Sequence, residues 1–234
     1  MEACRTNSVR KIIQMSSFSL YGATREAITE KTQFNPNNPY GFSKACGELV
    51  ATCYAMNYGL KIIIFRAPLI CGGGQQELNA LREFVLSVKE GKPITVFGEG
   101  KHVREWVHPF DVADAFVKAL SYFDQMVNPC EVFILGSKPV SMSELAQLVI
   151  KIVGKGHVEH RASTSQVFDQ YTDSDKAKRL LGWEATIPIE EIVREVVQDI
   201  FERWTLMSML DRPFSTTFPS STVLNRQLRQ SAGD

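Results

Sequence analysis

Three stretches between residues 11 and 65 indicate the fold class: KIIQM at 11–15, PYGFSKACGELVATCYAMNY at 39–58 and KIIIF at 61–65. The two apolar runs are typical of strands that are buried on both faces. The segment between them consists of good helix formers and begins with Pro39, a residue type that is favoured in the first turn of a helix. A strand, a helix and a second strand form the crossover unit of a parallel sheet.

The alternation of helices and strands continues toward the carboxyl end of the chain. Ser141 and Glu144 have the spacing of a capping box and mark the start of one further helix. The pattern also predicts helices at 77–90, 109–123 and 189–204 and strands at 93–97 and 131–135. We therefore predict an α/β fold, followed from residue 211 by a disordered tail in which Pro, Ser, Thr, Arg and Gln dominate.

The composition of the 234 residues excludes several classes of protein. Lys and Arg together number 26, as do Asp and Glu, so the formal net charge is zero and does not favour nucleic acid or anionic membranes. The sequence has no apolar run of the roughly 20 residues that a membrane span needs. The first residues lack the apolar region of a signal peptide. We expect a cytoplasmic protein with no nucleic-acid or membrane partner.

The five cysteines include no Cys-x-x-Cys pair, which argues against disulfides and against a structural zinc site. Cys46 and Cys53 are seven residues apart in the predicted helix, and we interpret them as small core residues. We interpret His157 and His160 as exposed strand residues rather than as metal ligands. The sequence therefore predicts no metal site.

A hydroxyl cluster and a Tyr-x-x-x-Lys pair carry the candidate chemistry. Ser16 and Ser17 close the first predicted strand, and Tyr40 and Lys44 open the helix that follows. A spacing of four residues puts Tyr40 and Lys44 on the same helical face, so the ammonium charge favours the phenolate. That charge matters because free tyrosine, with a pKa of about 10, is a poor base at neutral pH. Ser17 is expected at the carboxyl end of a parallel strand, where open α/β sheets bind ligands.

Four ordered motifs within residues 1–201 resemble the extended short-chain dehydrogenase/reductase superfamily, and within it the NAD-dependent epimerase/dehydratase group that acts on nucleotide sugars. The motifs are SSFSLYG at 16–22, NPYGFSK at 38–44, VFGEGKHVREWVHPFDVADA at 96–115 and DSDKAKRLLGW at 173–183. The resemblance implies a Rossmann-like parallel sheet with a smaller C-terminal α/β substrate-binding domain. We expect the carboxyl-terminal part of the Rossmann-like domain at 1–70 and a mainly substrate-binding region at 71–210, interleaved with returning Rossmann elements.

The resemblance also implies roles for individual residues. Tyr40 is expected to move the proton of a sugar hydroxyl while hydride passes to or from the nicotinamide, with Lys44 on the nicotinamide ribose. Arg104 is expected to pair with the diphosphate of a nucleotide sugar, because a guanidinium fork suits that group. The cofactor, NAD or NADP, is expected to contact Ser16, Tyr40, Lys44, Ala67 and Pro68, and the substrate to contact Ser17, Leu69 and Arg104.

The sequence departs from the family pattern in three places. Phe18 and Ser19 stand where the 4,6-dehydratases carry Asp and Glu, which disfavours dehydration and leaves epimerisation or oxidoreduction. Leu69 stands where the family usually has Asn. The Gly-x-x-Gly-x-x-Gly turn that receives the cofactor pyrophosphate does not occur, and Met1–Cys4 resembles the end of the helix before the catalytic strand. We therefore expect a chain shortened at its amino end.

Two other functions remain open from the sequence. In the first, the chain is a catalytically inactive protein with a binding or regulatory role. In the second, it is one segment of a split enzyme that another polypeptide completes. His108 is expected to be structural, and the three tryptophans are expected to pack rather than stack on nucleotides. The family further implies a homodimer formed through the helix of Tyr40 and the neighbouring helix.

Overall fold

A computed structural model describes residues 1–22, 24, 26–75, 79–162 and 169–210, and for residues 203–210 it describes the backbone alone. The chain divides into two units, Met1–Ile200 and Phe201–Asp234. The predicted tail from residue 211 and the side chain of Trp204 lie outside the described residues. Within the described part, no helix is both long enough and apolar enough to cross a bilayer. The domain boundary expected at residue 70 remains a prediction.

Helices and strands alternate through the first unit, as the sequence predicts. The helices are α1 (Glu2–Thr6), α2 (Pro39–Tyr58), α3 (Ala80–Lys89), α4 (Pro109–Tyr122), α5 (Met142–Val153), α6 (Asp175–Leu181) and α7 (Ile189–Leu210). The strands are β1 (Lys11–Ser17), β2 (Lys61–Ala67), β3 (Leu69–Ile70), β4 (Ile94–Phe97), β5 (Val103–Arg104), β6 (Trp106–Val107), β7 (Cys130–Ile134), β8 (Val140–Ser141) and β9 (Val158–Arg161). The predicted α/β class is confirmed.

A three-stranded parallel sheet of order β1-β2-β7 lies at the centre of the fold. Its middle strand, β2, is apolar at nearly every position and almost wholly buried, as the run KIIIF predicts. Small two-stranded sheets pair β3 with β6, β4 with β9 and β5 with β8, and only the last is antiparallel. In the central sheet, Ser16 is the register partner of Arg66 and Ser17 that of Ala67.

Helices cover both faces of the central sheet, because alternate side chains of β2 point to opposite sides. Ile62 and Ile64 pack with Ala51 and Ala55 of α2 on one face. On the other face, Ile63 and Phe65 belong to a cluster that also contains Ala115 and Ala119 of α4 together with Trp183. Burial on both faces explains why β2 has no polar alternation.

Helix α2 has the predicted bounds because its signals are local. The side chain of Asn38 accepts a hydrogen bond from the Gly41 amide over 2.9 Å, Pro39 occupies the first turn, and Gly59 ends the helix with a φ of 65°. The predicted capping box of Ser141 and Glu144 is likewise present at the start of α5. Helix α7 continues beyond its predicted end at Trp204, to Leu210.

The interpretation of Cys46 and Cys53 as core residues is wrong, since both are exposed. Alanines at 45, 51 and 55 supply the apolar face of α2 that meets the sheet. The two cysteines lie on the opposite face of the same helix. Seven-residue spacing places two residues on one helical face but does not say which face is buried.

Candidate active site

Most of the sequence-predicted residues lie at the carboxyl ends of β1 and β2, and Arg104 is the exception. Ser17 ends β1 beside Ala67, the last residue of β2. A 3-10 turn at Phe18–Leu20 follows Ser17 directly, and α2 begins at Pro39. Ligands bind to open parallel sheets at this edge, where the strand ends leave room between connecting loops.

Tyr40 and Lys44 lie one helical turn apart at the start of α2. The Nζ atom of Lys44 is 5.5 Å from the centre of the Tyr40 ring and donates a hydrogen bond to the carbonyl oxygen of Met15 over 3.1 Å. The Tyr40 side chain is 53% exposed. The phenol is therefore accessible, while the ammonium group beside it is held by the backbone of β1.

The two serines at the end of β1 have different surroundings. The half-buried Ser17 hydroxyl accepts a hydrogen bond from the Ser19 amide and donates one to the Ser19 hydroxyl, each over 3.2 Å. The Ser16 hydroxyl is buried and has no hydrogen-bond partner among the described residues. Buried hydroxyls are ordinarily paired, so Ser16 presents an unused donor and acceptor at this edge of the sheet.

Gly41 brings the first turn of α2 directly onto the turn that follows Ser17. A Cβ atom at position 41 would lie 2.3 Å from the carbonyl oxygen of Ser19, closer than such atoms approach in proteins. Only glycine permits this contact between the two segments. The packing therefore fixes Tyr40, the residue before Gly41, relative to Ser17.

Sequence reasoning missed a buried ion pair between Arg66 on β2 and Glu48 on α2. The Arg66 Nη2 atom lies 2.6 Å from a Glu48 carboxylate oxygen, and the side chains are 5% and 3% exposed. The same guanidinium donates to the Tyr21 hydroxyl over 2.6 Å. Two features of the sequence could have predicted this ion pair. Arg66 is a charged residue at the end of an otherwise apolar strand, and Glu48 is a charged residue within an apolar helical face.

The expected cofactor and substrate residues of the second strand lie next to this edge. Ala67 is buried, Pro68 is half-buried, and Leu69 on β3 is 39% exposed. Arg104 lies on β5, outside the central sheet, where its Nη1 donates to the Val103 carbonyl oxygen over 2.9 Å. Partial burial lowers the pKa of the Arg104 guanidinium. The expected contacts of these residues with ligands remain predictions.

Glu105 and His108, which follow Arg104 in the sequence, have structural roles. The buried carboxylate of Glu105 accepts hydrogen bonds from the backbone amides of Ser137 and Thr172 and from the Thr172 hydroxyl, while its burial raises its pKa. His108 accepts a hydrogen bond at Nδ1 from the Phe110 amide and so caps α4. The structural interpretation of His108 is confirmed.

The late DSDKAKRLLGW motif also stabilises the fold. The indole of Trp183 is buried and donates to the carbonyl oxygen of Asp111 over 2.7 Å. The Asp111 carboxylate accepts hydrogen bonds from the backbone amides of Thr186 and Ile187. Trp106 is buried as well, so both tryptophans pack as expected.

His157 and His160 are exposed, and the described residues contain no cluster of three potential metal ligands.

A cavity of about 690 Å³ lies apart from the candidate catalytic residues. It is bounded by the loop after β7, one face of α5 and the segment before α7, with Trp106, Leu148 and Ile187 among its lining residues. Ser17, Tyr40 and Lys44 do not line this cavity. We therefore place the candidate site at the sheet edge and not in this cavity.

Comparisons with known proteins identify the family and the fold. A sequence profile of the NAD-dependent epimerase/dehydratase family matches residues 1–136. The chain is 28% identical over 207 residues to UDP-glucuronate 4-epimerase of Thermodesulfobacterium geofontis, a match that covers 84% of this chain and 61% of that protein. It is 33% identical over 214 residues to UDP-glucose 4-epimerase of Streptococcus mutans, covering 82% of this chain and 64% of that protein. The chain thus spans less than two thirds of the length of these curated relatives.

Solved structures show the same similarity in three dimensions. UDP-glucuronic acid 4-epimerase from Bacillus cereus, in complex with NAD, gives a TM-score of 0.77 at 27% identity and is matched over 87% of this chain and 65% of that chain. UDP-glucose 4-epimerase from Thermotoga maritima, with UDP-glucose, gives a TM-score of 0.76 at 26% identity. The match covers 87% of this chain and 67% of that chain. The predicted Rossmann-like α/β fold is confirmed.

Proposed function

Because the chain belongs to the NAD-dependent epimerase/dehydratase family, we propose that it acts by epimerisation or oxidoreduction at a hydroxyl or keto carbon of a nucleotide sugar. The observation that carries the proposal is the accessible Tyr40 phenol beside the anchored Lys44 ammonium at the strand ends. The epimerases named among its relatives act on UDP-glucose and UDP-glucuronate, which supports this substrate class.

In the proposed reaction, the chain supplies the proton chemistry. When bound, NAD supplies the group that accepts and returns hydride. Tyr40 takes the proton from the sugar hydroxyl as it becomes a carbonyl and returns a proton in the reverse step. Ser17 hydrogen-bonds the reacting oxygen, and Lys44 places its positive charge on the face of the Tyr40 ring.

The residues present fit the nicotinamide end of the cofactor. The Ser16 hydroxyl, which has no hydrogen-bond partner in the described part of the chain, lies beside Ser17. Ala67 ends β2 and Pro68 follows it at the same edge. We propose that Ser16, Ala67 and Pro68, together with Tyr40 and Lys44, hold the nicotinamide and its ribose. The 234 residues contain no Gly-x-x-Gly-x-x-Gly turn, so we assign none of them to the pyrophosphate.

The turn after Ser17 supports epimerisation or oxidoreduction over dehydration. Phe18 is buried in an apolar cluster, and the Ser19 hydroxyl is hydrogen-bonded to Ser17. Neither side chain is an acid or base that promotes loss of water. Leu69 offers an apolar side chain to the sugar nucleotide, and we propose that Arg104 pairs with its diphosphate.

We test the function by heating the protein in the presence of NAD, UDP-glucose or UDP-glucuronate, since a ligand of the native state raises Tm. Both NAD and one sugar nucleotide should raise it. Chromatography should then show a new epimer or a keto sugar with wild type and none with Tyr40→Phe. Equal turnover by Tyr40→Phe would contradict the proposal.

A second candidate function is binding of a nucleotide sugar without turnover. It predicts that a UDP-sugar raises Tm while NAD leaves Tm unchanged at millimolar concentration. A UDP-sugar should then be recovered unaltered after incubation with NAD. Detectable NAD binding would exclude this alternative.

We also propose a homodimer that forms through the exposed face of α2. Five small or apolar side chains follow one another on this face at alternating spacings of four and three residues, the pattern of a helix-packing seam. They are Phe42, Cys46, Leu49, Cys53 and Met56, all exposed. Leu49→Glu should convert a dimer into a monomer in analytical ultracentrifugation, and a monomeric wild type would refute the dimer.

A further inference from the structure

We propose that Arg66 and Glu48 are positioning residues, whose buried ion pair sets the placement of Tyr40 relative to Ser17. This inference rests on the proposed function, in which Tyr40 and Ser17 act on the same oxygen atom. It assigns a role to a pair of charges that is buried beneath the surface of the candidate site. Three contacts of the one Arg66 guanidinium carry the argument.

The first contact joins β2 to the helix that bears Tyr40. Tyr40, Lys44 and Glu48 are each four residues apart and therefore follow one face of α2. The Glu48 carboxylate accepts hydrogen bonds from Arg66 Nε at 3.0 and 3.1 Å and from Nη2 at 2.6 Å. Lys44 donates to the Met15 carbonyl oxygen on β1, and Glu48 pairs with Arg66 on β2. The helical face that bears Tyr40 is therefore attached to both strands.

The second and third contacts hold the segment that follows Ser17. Arg66 Nη1 donates to the Tyr21 hydroxyl over 2.6 Å and to the Glu30 carbonyl oxygen over 3.0 Å. Tyr21 follows the 3-10 turn that begins directly after Ser17, and its hydroxyl donates in turn to the Thr29 carbonyl oxygen. The guanidinium carbon also lies 5.0 Å from the centre of the Phe34 ring.

The chemistry of the pair suits positioning better than simple stabilisation. A buried ion pair contributes little net stability, because desolvation of both charges offsets their attraction. A guanidinium has five donors in a fixed plane, so it can bind a carboxylate and two further oxygens in one geometry. A lysine at position 66 would keep the charge but could not reproduce that planar set of contacts.

We test the inference with the full chain labelled with 3-fluorotyrosine, in which the ¹⁹F signal of Tyr40 is assigned from its loss in Tyr40→Phe. Arg66→Lys should move or broaden the Tyr40 signal by more than its linewidth. The matched control is Arg82→Lys, because Arg82 of α3 forms a half-buried ion pair with Asp199 over 3.4 Å. That control should lower Tm but leave the Tyr40 signal in place.

Glu48→Gln provides a second variant that keeps the shape of the side chain, should Arg66→Lys fail to fold. A Tyr40 signal that stays unchanged in whichever of these variants folds would overturn the positioning role. If the signal moves and ligand binding or turnover is absent in wild type, the proposed function fails while the geometric inference stands. The two ideas are therefore tested separately.

Discussion

The Nζ atom of Lys44 donates a hydrogen bond of 3.1 Å to the carbonyl oxygen of Met15, which joins α2 to β1 one residue before Ser16. Because the acceptor belongs to the strand backbone, the position of the ammonium group is set by the sheet. Tyr40, one turn earlier on α2, is thereby placed next to a fixed positive charge. This relationship leads to the first prediction.

Lys44→Met should separate the contribution of this charge to activity from its contribution to stability. We expect the free energy of unfolding to fall by about 0.5–1.5 kcal/mol, the net value of one hydrogen bond. Turnover of a nucleotide sugar should fall about 100-fold or more, as for loss of proton-transfer catalysis. Urea unfolding and a steady-state assay measure the two effects. Lys44→Arg, which keeps the charge, should lose less activity, and equal losses for both variants would contradict this account.

Gly41→Ala and Gly47→Ala form a matched pair on α2 with opposite expected effects. A Cβ at Gly41 meets the Ser19 carbonyl oxygen at 2.3 Å, so the turn must move, and we expect a loss of about 1–3 kcal/mol in the free energy of unfolding. A Cβ at Gly47 meets only the flexible end of Gln14 at 3.3 Å, and we expect a gain of about 0.5–1 kcal/mol. Chemical denaturation measures both, and a stable Gly41→Ala would show that the close approach is not needed.

Glu195 should make stability depend on pH in the acid range. Since His108 Nδ1 accepts a hydrogen bond, its Nε2 donates to Glu195 over 2.9 Å, and the Gly73 amide donates as well. These hydrogen bonds lower the pKa of Glu195 below its ordinary value of 4.5. A lowered pKa in the folded state contributes stability above the unfolded pKa, and that contribution is lost as pH falls through the folded pKa.

The stability advantage of wild type over Glu195→Gln should therefore be complete at pH 7 and shrink below about pH 4.5. Urea unfolding at a series of pH values between 3 and 7 measures the difference. Glu191→Gln, at an exposed position on the same helix, serves as the control and should show no such trend. A difference that stays constant down to pH 3 would show that the Glu195 carboxylate is not held as described.

The cysteines report on the proposed dimer through their reactivity with iodoacetamide. Cys46 and Cys53 lie on the exposed face of α2 and should be labelled rapidly in dilute protein, as measured by mass spectrometry of peptides. Their labelling should slow as the protein concentration rises and the dimer forms, and Leu49→Glu should abolish this protection. Cys71 should remain unlabelled throughout, because burial raises the pKa of its thiol to about 11. Concentration-independent labelling of Cys46 would count against the dimer seam.

The sequence does not predict that Cys46 and Cys53 are exposed. Their spacing predicts that they share a helical face, and they do. Whether that face meets the sheet depends on the competing alanine face, of which Ala51 and Ala55 pack against Ile62 and Ile64 of β2. Both faces are apolar enough to be buried, so the choice between them is made by tertiary packing.

Local sequence signals predict the strands of the central sheet, the bounds of α2 and the placement of Tyr40 and Lys44 on one helical face. These features follow from apolar runs, from Asn38, Pro39 and Gly59 as end signals, and from the helical repeat, all of which act within a few residues. The contacts between distant segments arise from tertiary packing: Lys44 with Met15, Arg66 with Glu48 and Tyr21, and Gly41 against Ser19. Such contacts depend on how β1, α2 and β2 pack together, and residue spacing along the chain does not encode that packing.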